Sequence, residues 1–422
     1  MSVNILIINV HSSRNAGDAA LTQVTLEQLQ SQFPQCCITL AIDDPGSYTG
    51  EGTALCSLFG LMRDGDRWRP ESLLRLIPAT LTPVLSHRWW GKAVFALTPR
   101  DWRTLLRAYL GADLIVSKPG GFLYSSGRGV ALFISLYTLA LGWLAGKPVY
   151  LLPQSIGPFA RRWERWLAGL VLDRLRKVIV REPISLSQLE ICGVRAARCH
   201  LFPDMAFAFK GAPEAAARQW LYDHGFEPDS GSPLLGMTVI NYGAQNRRFL
   251  RQAHYEAACA EAVRFFIEQI GGRVIIFPQV WGPSPSQDDR VPARRIAQQL
   301  TDLGQALMVV EIPLPPDLLR AVYGKMDLFV GTRMHSNIFA LSQGVPAIAI
   351  GYQHKTQGIL EMLGLEQWSI RIEDVTGQVL REKLAALWQE RAAVRSHLQR
   401  ILPGLIAQAQ SVGALIVEDF YA

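Results

Sequence analysis

The sequence predicts an α/β protein built from two consecutive doubly wound, Rossmann-like domains with an interdomain cleft. Short apolar runs alternate with helical patterns along the chain, which is typical of parallel α/β units. The 422 residues suffice for two domains that each bury a full core. A polar, turn-rich linker, PDSGSP at 228–233, separates the two sets of runs. Ligands of such folds bind at the carboxyl ends of the strands, so we expect the functional residues there.

The first domain is predicted to span residues 1–210. Its predicted strands are VNILIINV, CITLAID, ADLIVSKP, PVYLLPQS and KVIVRE. Helical patterns follow several of them, as in DAALTQVTLEQLQSQF and RWERWLAGLVLDRLR. The apolar segment 129–146 reaches the lower length limit of a membrane span, but its place between two strands favours a buried crossover helix.

Residues 53–110 fit this plan poorly, and we interpret them as an insertion in the first domain. This segment mixes many arginines with Trp68, Trp89, Trp90 and Trp102. A lid, a partner surface, an element that lies in a membrane interface and plain core packing are all consistent with this composition.

The second domain is predicted to span residues 232–402. Its predicted strands are LLGMTVI, RVIIFPQ, LMVVEI, DLFVGT and AIAIGY. The pattern HYEAACAEAVRFFIEQI predicts a helix between two of them, and residues 376–402 predict a long amphipathic helix. Residues 403–422 are expected to form a C-terminal helical tail.

Composition limits the possible functions. A formal charge of +6 and a pI near 9.0 suit an acidic ligand or an anionic membrane surface, whereas the scattered cations argue against nucleic acid. Six irregularly spaced cysteines predict buried thiols rather than a zinc site.

The N-terminus lacks the basic start of a signal peptide, so we expect a cytoplasmic protein. The acidic pair Asp288-Asp289 is expected to start a helix rather than to bind a metal.

The loop after the first strand, HSSRNAGDAALT, carries turn and helix-start residues. Asn15 and Gly17 suit a tight turn, and Asp18 can cap the following helix. Free amides at that helix start could hold a phosphate or a sugar hydroxyl, although a plain strand–turn–helix joint has the same appearance. The loop is neither a G-x-G-x-x-G fingerprint nor a Walker P-loop.

Two further loops follow strands of the first domain. Gly120-Gly121 allows close approach of the backbone to a ligand, and Ser125 and Ser126 add hydroxyl groups. Gln154 and Ser155 end the next predicted strand and are expected to face the same cleft. The alternative is that the glycines form only a flexible connection to the following apolar helix.

Arg181 lies at the end of an apolar strand, and Pro183 predicts the start of a helix after it. We expect Arg181 to point into the cleft. Asp204, which follows Pro203, is expected to have a structural role.

The most informative segment is GTRMHSNIFALSQGVPAIAIGYQHK, residues 331–355. Arg333 and His335 follow a strand and begin a helix, where unpaired backbone amides add positive potential. Arg333 can bind a carboxylate or phosphate through two hydrogen bonds, and His335 can donate or accept a proton near neutral pH. Lys355 follows the next strand and should return to the same edge. The pattern predicts a site that binds an anion and moves a proton.

With these motifs the chain resembles the polysaccharide pyruvyl transferase family. The resemblance is carried by NAGDAAL, KPGGFL, VREPISLSQLEICGV followed by PDMAF, and TRMHSNIFALSQGVPAIAIGYQHK. These segments cover most of the chain in order, apart from residues 53–110. The resemblance implies a GT-B architecture and transfer of a pyruvyl group from phosphoenolpyruvate to sugar hydroxyls, which forms a pyruvate ketal and releases phosphate.

The resemblance also implies a role for each site residue. Arg181 and Arg333 would hold the donor's phosphate and carboxylate, helped by the Met334 amide. His335 would act as general acid or base, and Lys355 would steady the departing phosphate. No metal or other cofactor is implied. The residues expected to bind the acceptor or to line the cleft are Asn15, Gly17, Asp18, Gly120, Gly121, Gln154 and Ser155.

The implied acceptor is a sugar of a cell-surface polysaccharide or of its lipid-linked precursor, bound by the first domain. The second domain would bind the donor, and peripheral contact with the inner face of the cell membrane is compatible with the insertion. One alternative is a GT-B glycosyltransferase or sugar-nucleotide epimerase that uses a nucleotide-sugar, because fold alone does not decide function. A non-catalytic scaffold in a glycan-assembly complex is another.

Overall fold

A computed structural model of the chain describes residues 2–64, 67–125, 129–227, 231–246, 248–282 and 284–422. Ser126 and residues 228–230 of the predicted linker lie outside the described residues. The chain divides into two compact units, which are described separately below. The first comprises Met1–Ser13, Leu21–Met205 and Ala407–Ala422, and the second comprises Arg14–Ala20 and Ala206–Ile406. The segment Arg14–Ala20, which contains the predicted N-terminal loop residues, thus belongs to the second unit.

The first unit contains a parallel sheet and a short antiparallel hairpin. Its strands are β1 (Val3–Val10), β2 (Cys36–Ile42), β3 (Thr53–Cys56), β4 (Arg63–Asp64), β5 (Arg67–Trp68), β6 (Leu114–Ser117), β7 (Gly120–Leu123), β8 (Val149–Ile156), β9 (Lys177–Val180) and β10 (Cys199–Leu201). The sheet has the order β10-β9-β8-β6-β1-β2-β3, with β7 also paired to β8, while β4 and β5 form the hairpin. The chain therefore leaves β1 in one direction and resumes at β6 on its other side, which is the Rossmann arrangement.

The helices of this unit cover the faces of the sheet. They are α1 (Ala16–Gln32), α2 (Leu58–Leu61), α3 (Pro70–Trp90), α4 (Arg103–Gly111), α5 (Val130–Leu144), α6 (Arg162–Leu172) and α7 (Pro183–Ile191). The apolar segment 129–146 forms α5, a crossover helix between β7 and β8 with most of its side chains buried or half-buried, as its position predicted. The segment 53–110 contributes β3 to the edge of the sheet and α3 to the layer that packs on α5.

The second unit contains a six-stranded parallel sheet. Its strands are β11 (Leu234–Thr238), β12 (Arg273–Ile276), β13 (Leu307–Val309), β14 (Leu328–Gly331), β15 (Ala347–Gly351) and β16 (Ser369–Arg371). The order β13-β12-β11-β14-β15-β16 corresponds, along the chain, to the Rossmann order 3-2-1-4-5-6. All ten strands predicted from the sequence are present, and both sheets are of the Rossmann type, so the predicted fold class is confirmed.

The helices of the second unit connect these strands. They are α8 (Glu214–Asp223), α9 (Tyr242–Gln245), α10 (Gln252–Ile270), α11 (Arg290–Gln298), α12 (Pro316–Tyr323), α13 (Met334–Leu341), α14 (His354–Met362) and α15 (Gly377–Gln410). A last helix, α16 (Val412–Tyr421), belongs to the first unit. The predicted helix 376–402 thus continues through Pro403 to residue 410.

By length and composition alone, the helical stretch Gly377–Tyr421 is apolar enough to cross a membrane. Its far end is nevertheless attached to the first unit. Asp419 accepts hydrogen bonds from the Tyr150 hydroxyl at 2.9 Å and from Arg176 Nε at 2.8 Å. Burial raises the pKa of Asp419, but the two hydrogen-bond donors lower it by more, so the net shift of the pKa is downward. The chain end is therefore fastened to β8 and to the residue before β9.

We expect Asp419→Asn to lower the free energy of unfolding by about 1–2 kcal/mol at neutral pH, because hydrogen bonds to a carboxylate are lost. The folded-state pKa of Asp419 is depressed, so its contribution is present above the ordinary value of 3.8 and is lost as the pH falls below it. The difference between wild type and variant in urea unfolding should therefore persist down to about pH 3.8 and shrink as the pH falls below that value. Glu418→Gln, at the exposed neighbouring position, is the matched control and should change little. Equal effects of both substitutions would contradict this attachment.

Candidate active site

Arg333 and His335 lie at the carboxyl edge of the second sheet, where the strand order reverses between β11 and β14. β14 ends at Gly331 and α13 begins at Met334, so Arg333 is the residue just before the helix and His335 lies in its first turn. Met334 is the first helical residue, where a backbone amide has no partner within the helix. This is the position at which doubly wound sheets bind ligands.

The guanidinium of Arg333 is held by the carboxylate of Asp289. Arg333 Nε lies 3.0 Å from Asp289 Oδ2, and Arg333 Nη2 lies 2.6 Å from Oδ1, so the pair is bidentate. Asp289 is completely buried and also accepts the backbone N–H groups of Gln279 and Val280, at 3.2 and 3.0 Å. The Arg333 side chain is only 12% exposed. Its position is therefore fixed before any ligand binds.

Each charge of this pair favours the ionised form of the other group. Burial raises the pKa of Asp289, and the charge and hydrogen bonds of Arg333 oppose that shift. Burial lowers the pKa of Arg333, but the Asp289 carboxylate and Tyr352 raise it, and the net direction is upward. Arg333 therefore remains a cation, as anion binding requires.

Buried hydroxyl and amide groups fix the loop that carries Arg333. Thr238 Oγ1 lies 2.6 Å from Ser336 Oγ, and Tyr255 Oη lies 2.6 Å from Thr332 Oγ1. Asn337 Nδ2 donates to the Gly331 carbonyl at 2.9 Å. These bonds join the loop to β11, to α10 and to its own helix, so the turn between β14 and α13 is rigid.

The N-terminal segment packs directly on His335. The Ala16 N–H donates to the Gln279 carbonyl at 3.1 Å, and Asn15 forms an antiparallel bridge with Val280. A Cβ atom added to Gly17 would lie 2.2 Å from His335 Nδ1. Only glycine leaves room for the imidazole at this point, and this contact is the reason that a glycine is needed there.

Asn15 is the residue that caps α1. Its Oδ1 accepts the amides of Gly17 and Asp18 at 3.0 and 3.4 Å, and its carbonyl accepts that of Ala19 at 2.9 Å. The expectation that Asp18 caps this helix was wrong. Asn15 directly precedes the helix and its side chain accepts these amides, whereas Asp18 is already inside the helix. Asp18 lies half-buried in the first turn of α1. With the Ala16 amide also occupied, the amides of this first turn do not form an open anion site.

Tyr352 connects Arg333 to Lys355. Tyr352 lies close enough to Arg333 to raise the pKa of its guanidinium, and Lys355 Nζ lies 5.9 Å from the centre of the Tyr352 ring. The ring of Tyr242 packs on Tyr352 at a centroid distance of 5.0 Å. Lys355 lies in the first turn of α14, after β15. The structure thus brings Arg333, His335 and Lys355 to one edge of the second sheet.

Arg181 has a different environment, in the first unit. It follows β9, is completely buried and pairs with Asp204, while its Nε donates to Ser155 Oγ at 2.7 Å. Glu182, also completely buried, lies 3.6 Å away, and burial raises the pKa of this carboxyl. The charge of Arg181 is therefore balanced within the unit. Asp204 has the structural position expected for it.

Gln154 and the glycine pair also lie in the first unit, at the carboxyl edge of its sheet. Gly120 pairs with Gln154 across β7 and β8. Gln154 is completely buried, and within the described part of the chain neither polar atom of its side chain has a hydrogen-bond partner. Gly121 is half-buried, whereas Ser155 is buried and bonded to Arg181. Gln154 is thus the member of this group with unused hydrogen-bonding capacity.

Sequence reasoning missed a histidine at the end of β1. His11 Nδ1 lies 2.8 Å from Asp43 Oδ2, and the ring packs edge-on against Phe122 with centroids 5.2 Å apart. Ser57 Oγ donates to the other Asp43 oxygen at 2.5 Å. A histidine directly after a strand was a visible signal, but Asp43 lies at the end of a different strand and could not be paired with it from the sequence.

Asp289 and Tyr352 were also missed as site residues. Asp289 was expected only to start a helix, and α11 does begin directly after it at Arg290. Its carboxylate is turned to Arg333, 44 positions further along the chain. Among the described residues no three histidine, cysteine, aspartate or glutamate side chains gather as a metal site.

Comparison with known proteins places the chain in a biosynthetic context. The model of the family described as polysaccharide pyruvyl transferase matches residues 15–354, from Asn15 to the residue before Lys355. The amylovoran biosynthesis protein AmsJ of Erwinia amylovora is 24% identical over 424 aligned residues, which cover 99% of both chains.

Two solved structures share the fold. HepE of Anabaena, in complex with UDP and glucose, is 14% identical with a TM-score of 0.57 and 99% coverage of both chains. The UDP-GlcNAc 2-epimerase of Neisseria meningitidis is 11% identical with a TM-score of 0.56 and 100% coverage of both. At these identities the likeness shows the architecture, a GT-B arrangement of Rossmann-like domains, and not the reaction.

Gly17→Ala should displace His335, because the added Cβ meets the imidazole, and should lower the free energy of unfolding by about 1–3 kcal/mol. Urea unfolding and the NMR resonances of the His335 ring measure both effects. Gly404→Ala is the matched control, since a Cβ there meets no atom within 4 Å and lies in the helix α15. A Gly17→Ala protein as stable as the control, with unchanged His335 resonances, would show that this contact is unimportant.

Proposed function

The chain belongs to the polysaccharide pyruvyl transferase family, and we propose that it transfers a pyruvyl group from phosphoenolpyruvate to two hydroxyls of one sugar. The coarser function, a transferase of polysaccharide biosynthesis, comes with the family and with the AmsJ relative. The observation that best supports the finer proposal is the prepositioned cation Arg333, joined through Tyr352 to Lys355 and followed by His335. Such an edge suits a small anion with two acidic groups that reacts by proton transfer.

Phosphoenolpyruvate carries a phosphate and a carboxylate on one carbon, so two cations at fixed positions match its charge. Arg333 would bind one of these groups through the donor that Asp289 leaves available, assisted by the Met334 amide. Lys355, at the start of α14, would bind the phosphate and stabilise it as it leaves. Arg181 is retained as a donor-binding proposal only through the family resemblance, since its charge is balanced by Asp204 within its own unit.

His335 is proposed to move the protons. Transfer of a proton to the enol methylene makes the central carbon electrophilic, and one sugar hydroxyl adds there as it loses its own proton. The bond to phosphate then breaks, and the second hydroxyl adds and loses its proton, which completes the ketal. Of the two protons that the hydroxyls lose, one replaces the proton that was given to the methylene carbon. The other is taken up by the leaving phosphate. Gly17 fixes the imidazole for these transfers.

The acceptor is proposed to be a sugar of an exopolysaccharide or of its lipid-linked precursor, bound at the carboxyl edge of the first sheet. Gln154, with unused hydrogen-bonding groups, and Gly120-Gly121 support this assignment. His11, oriented by Asp43 and adjacent to Phe122, gives the same edge an aromatic and a polar group of the kind that binds sugars.

Asn15, Gly17 and Asp18 lie in the second unit, beside His335, and are proposed to belong to the donor side. The proposed reaction needs no metal cofactor and takes place in the cytoplasm, where phosphoenolpyruvate is made.

Arg333→Lys keeps the positive charge but loses the bidentate contact with Asp289 that positions it. It should therefore weaken phosphoenolpyruvate binding about 10- to 100-fold, equivalent to about 1.4–2.8 kcal/mol. His335→Gln should retain binding and lose turnover. Thermal-shift titration with phosphoenolpyruvate measures the binding, because a ligand of the folded state raises its stability. Arg371→Ala, at a site whose side chain is 74% exposed, is the control. Stabilisation by UDP-glucose and not by phosphoenolpyruvate would instead favour a nucleotide-sugar enzyme.

A further inference from the structure

The exposed tryptophans of the protein are concentrated on three neighbouring helices of the first unit. Trp89 and Trp90, at the end of α3, are 67% and 71% exposed, and Trp166 on α6 is 67% exposed. Trp143 and Trp163 are the other two exposed tryptophans among the described residues, and they lie on α5 and α6. A tryptophan on a water-exposed surface is uncommon, so five on one set of helices indicate a binding surface.

The three helices are neighbours, because α5 packs against both α3 and α6. The Thr80 hydroxyl on α3 lies 2.6 Å from the Tyr137 hydroxyl on α5. A Cβ at Gly129, just before α5, would lie 3.1 Å from the ring of Trp163 on α6. Between α3 and α6, α5 presents the half-buried rings of Phe133 and Tyr137, which stack at a centroid distance of 5.9 Å. We call α3, α5 and α6 together the tryptophan face.

Aliphatic side chains extend this face. Leu74 and Ile77 on α3 are 82% and 52% exposed, and Leu170 on α6 is 43% exposed. Leu74 and Ile77 are three residues apart, as are Trp163 and Trp166, so each pair lies on one side of its helix. The opposite sides of these helices, which include Leu76, are buried in the unit. The helices α3 and α6 are therefore apolar on both their inner and their outer sides.

The charges along this face are mostly positive. The cations on or next to its helices include Arg69, Arg75, Arg88, Lys92, Arg161, Arg162, Arg165 and Arg174, whereas Asp173 is an acid next to α6. The acids of α3 and α6 are Glu71 and Glu164, and Glu164 is buried, where it binds Ser125 and the Arg161 amide. Positive charge next to exposed tryptophan is the combination that lies in the headgroup region of anionic membranes.

We propose that the tryptophan face binds the surface of an anionic phospholipid bilayer. The tryptophan and aliphatic side chains enter the headgroup boundary, while the arginines and Lys92 contact lipid phosphates. We favour a bilayer over an acidic protein partner because the exposed rings are spread over three helices with cations among them. The inference does not depend on the donor chemistry, because membrane binding is measured without turnover.

Flotation of the full-length protein with vesicles tests this inference. The probes are phosphatidylcholine vesicles with and without about one third phosphatidylglycerol. We expect binding only to the anionic vesicles, and Arg88→Gln/Lys92→Gln should lower the partition coefficient about 30-fold through the loss of two cations. Trp89→Ser/Trp90→Ser should reduce it by at least as much. Leu250→Ser/Ile312→Ser removes two exposed apolar side chains of the second unit, 88% and 76% exposed, and should bind as wild type.

Two results would overturn the proposal. One is the absence of flotation with anionic vesicles, or flotation that the tryptophan substitutions leave unchanged, in a protein whose urea unfolding matches wild type. The other is a wild-type dimer that becomes monomeric in Trp89→Ser/Trp90→Ser without any vesicle binding, which would identify the face as a contact between two copies of the chain. Retained phosphoenolpyruvate binding in the same variants would show that the donor site is separate.

Discussion

The buried ion pair between Asp289 and Arg333 is the constraint on which the donor-side site depends. Asp289 follows an irregular segment after β12, whereas Arg333 follows β14, so the pair joins two connections of the second sheet. Breaking such a pair leaves an uncompensated buried charge and costs about 3–5 kcal/mol, yet an intact pair adds little net stability over an apolar contact. Its value is geometric. The guanidinium is held in one orientation at the sheet edge, and Tyr352 extends that order to Lys355.

The same connections also support the proton-transfer group. The carbonyl of Gln279 receives the Ala16 amide, and the amides of Gln279 and Val280 bind Asp289. One short segment therefore positions both the cation and the N-terminal loop whose Gly17 touches His335. A disturbance at either contact is expected to reach the other, since both depend on this one segment.

Sequence reasoning identified the strands and the residues at their ends, because periodicity and strand-end position are local properties. Arg333, His335 and Lys355 follow from such a pattern. Asp289 did not, since nothing local distinguishes an acid that starts a helix from one whose carboxylate binds an arginine 44 residues later. The domain to which Asn15 belongs could likewise not be predicted from its neighbours in the sequence. Its loop lies between β1 and β2 of the first sheet along the chain, but its backbone bonds to Gln279 and Val280 assign it to the second unit.

The segment 53–110 shows what composition leaves open. Its arginines and tryptophans predicted an unusual element but did not separate core from surface. In the structure Trp102 is buried, whereas Trp89 and Trp90 are exposed on α3, which packs on α5. The helix α5 also packs on α6, whose exposed tryptophans belong to another part of the sequence. Only the packing of three helices reveals these residues as one surface.

Transfer of the pyruvyl group can be measured most directly with phosphoenolpyruvate labelled with ¹³C at its central carbon, in D₂O. The acceptor would be the lipid-linked glycan fraction of source cells that lack this gene. We expect phosphate release that requires the glycan, a labelled ketal carbon whose methyl group carries one deuterium from solvent, and loss of both in His335→Gln by at least about 100-fold. Glycan-dependent consumption of UDP-glucose, with phosphoenolpyruvate unchanged, would contradict pyruvyl transfer and identify a nucleotide-sugar enzyme instead.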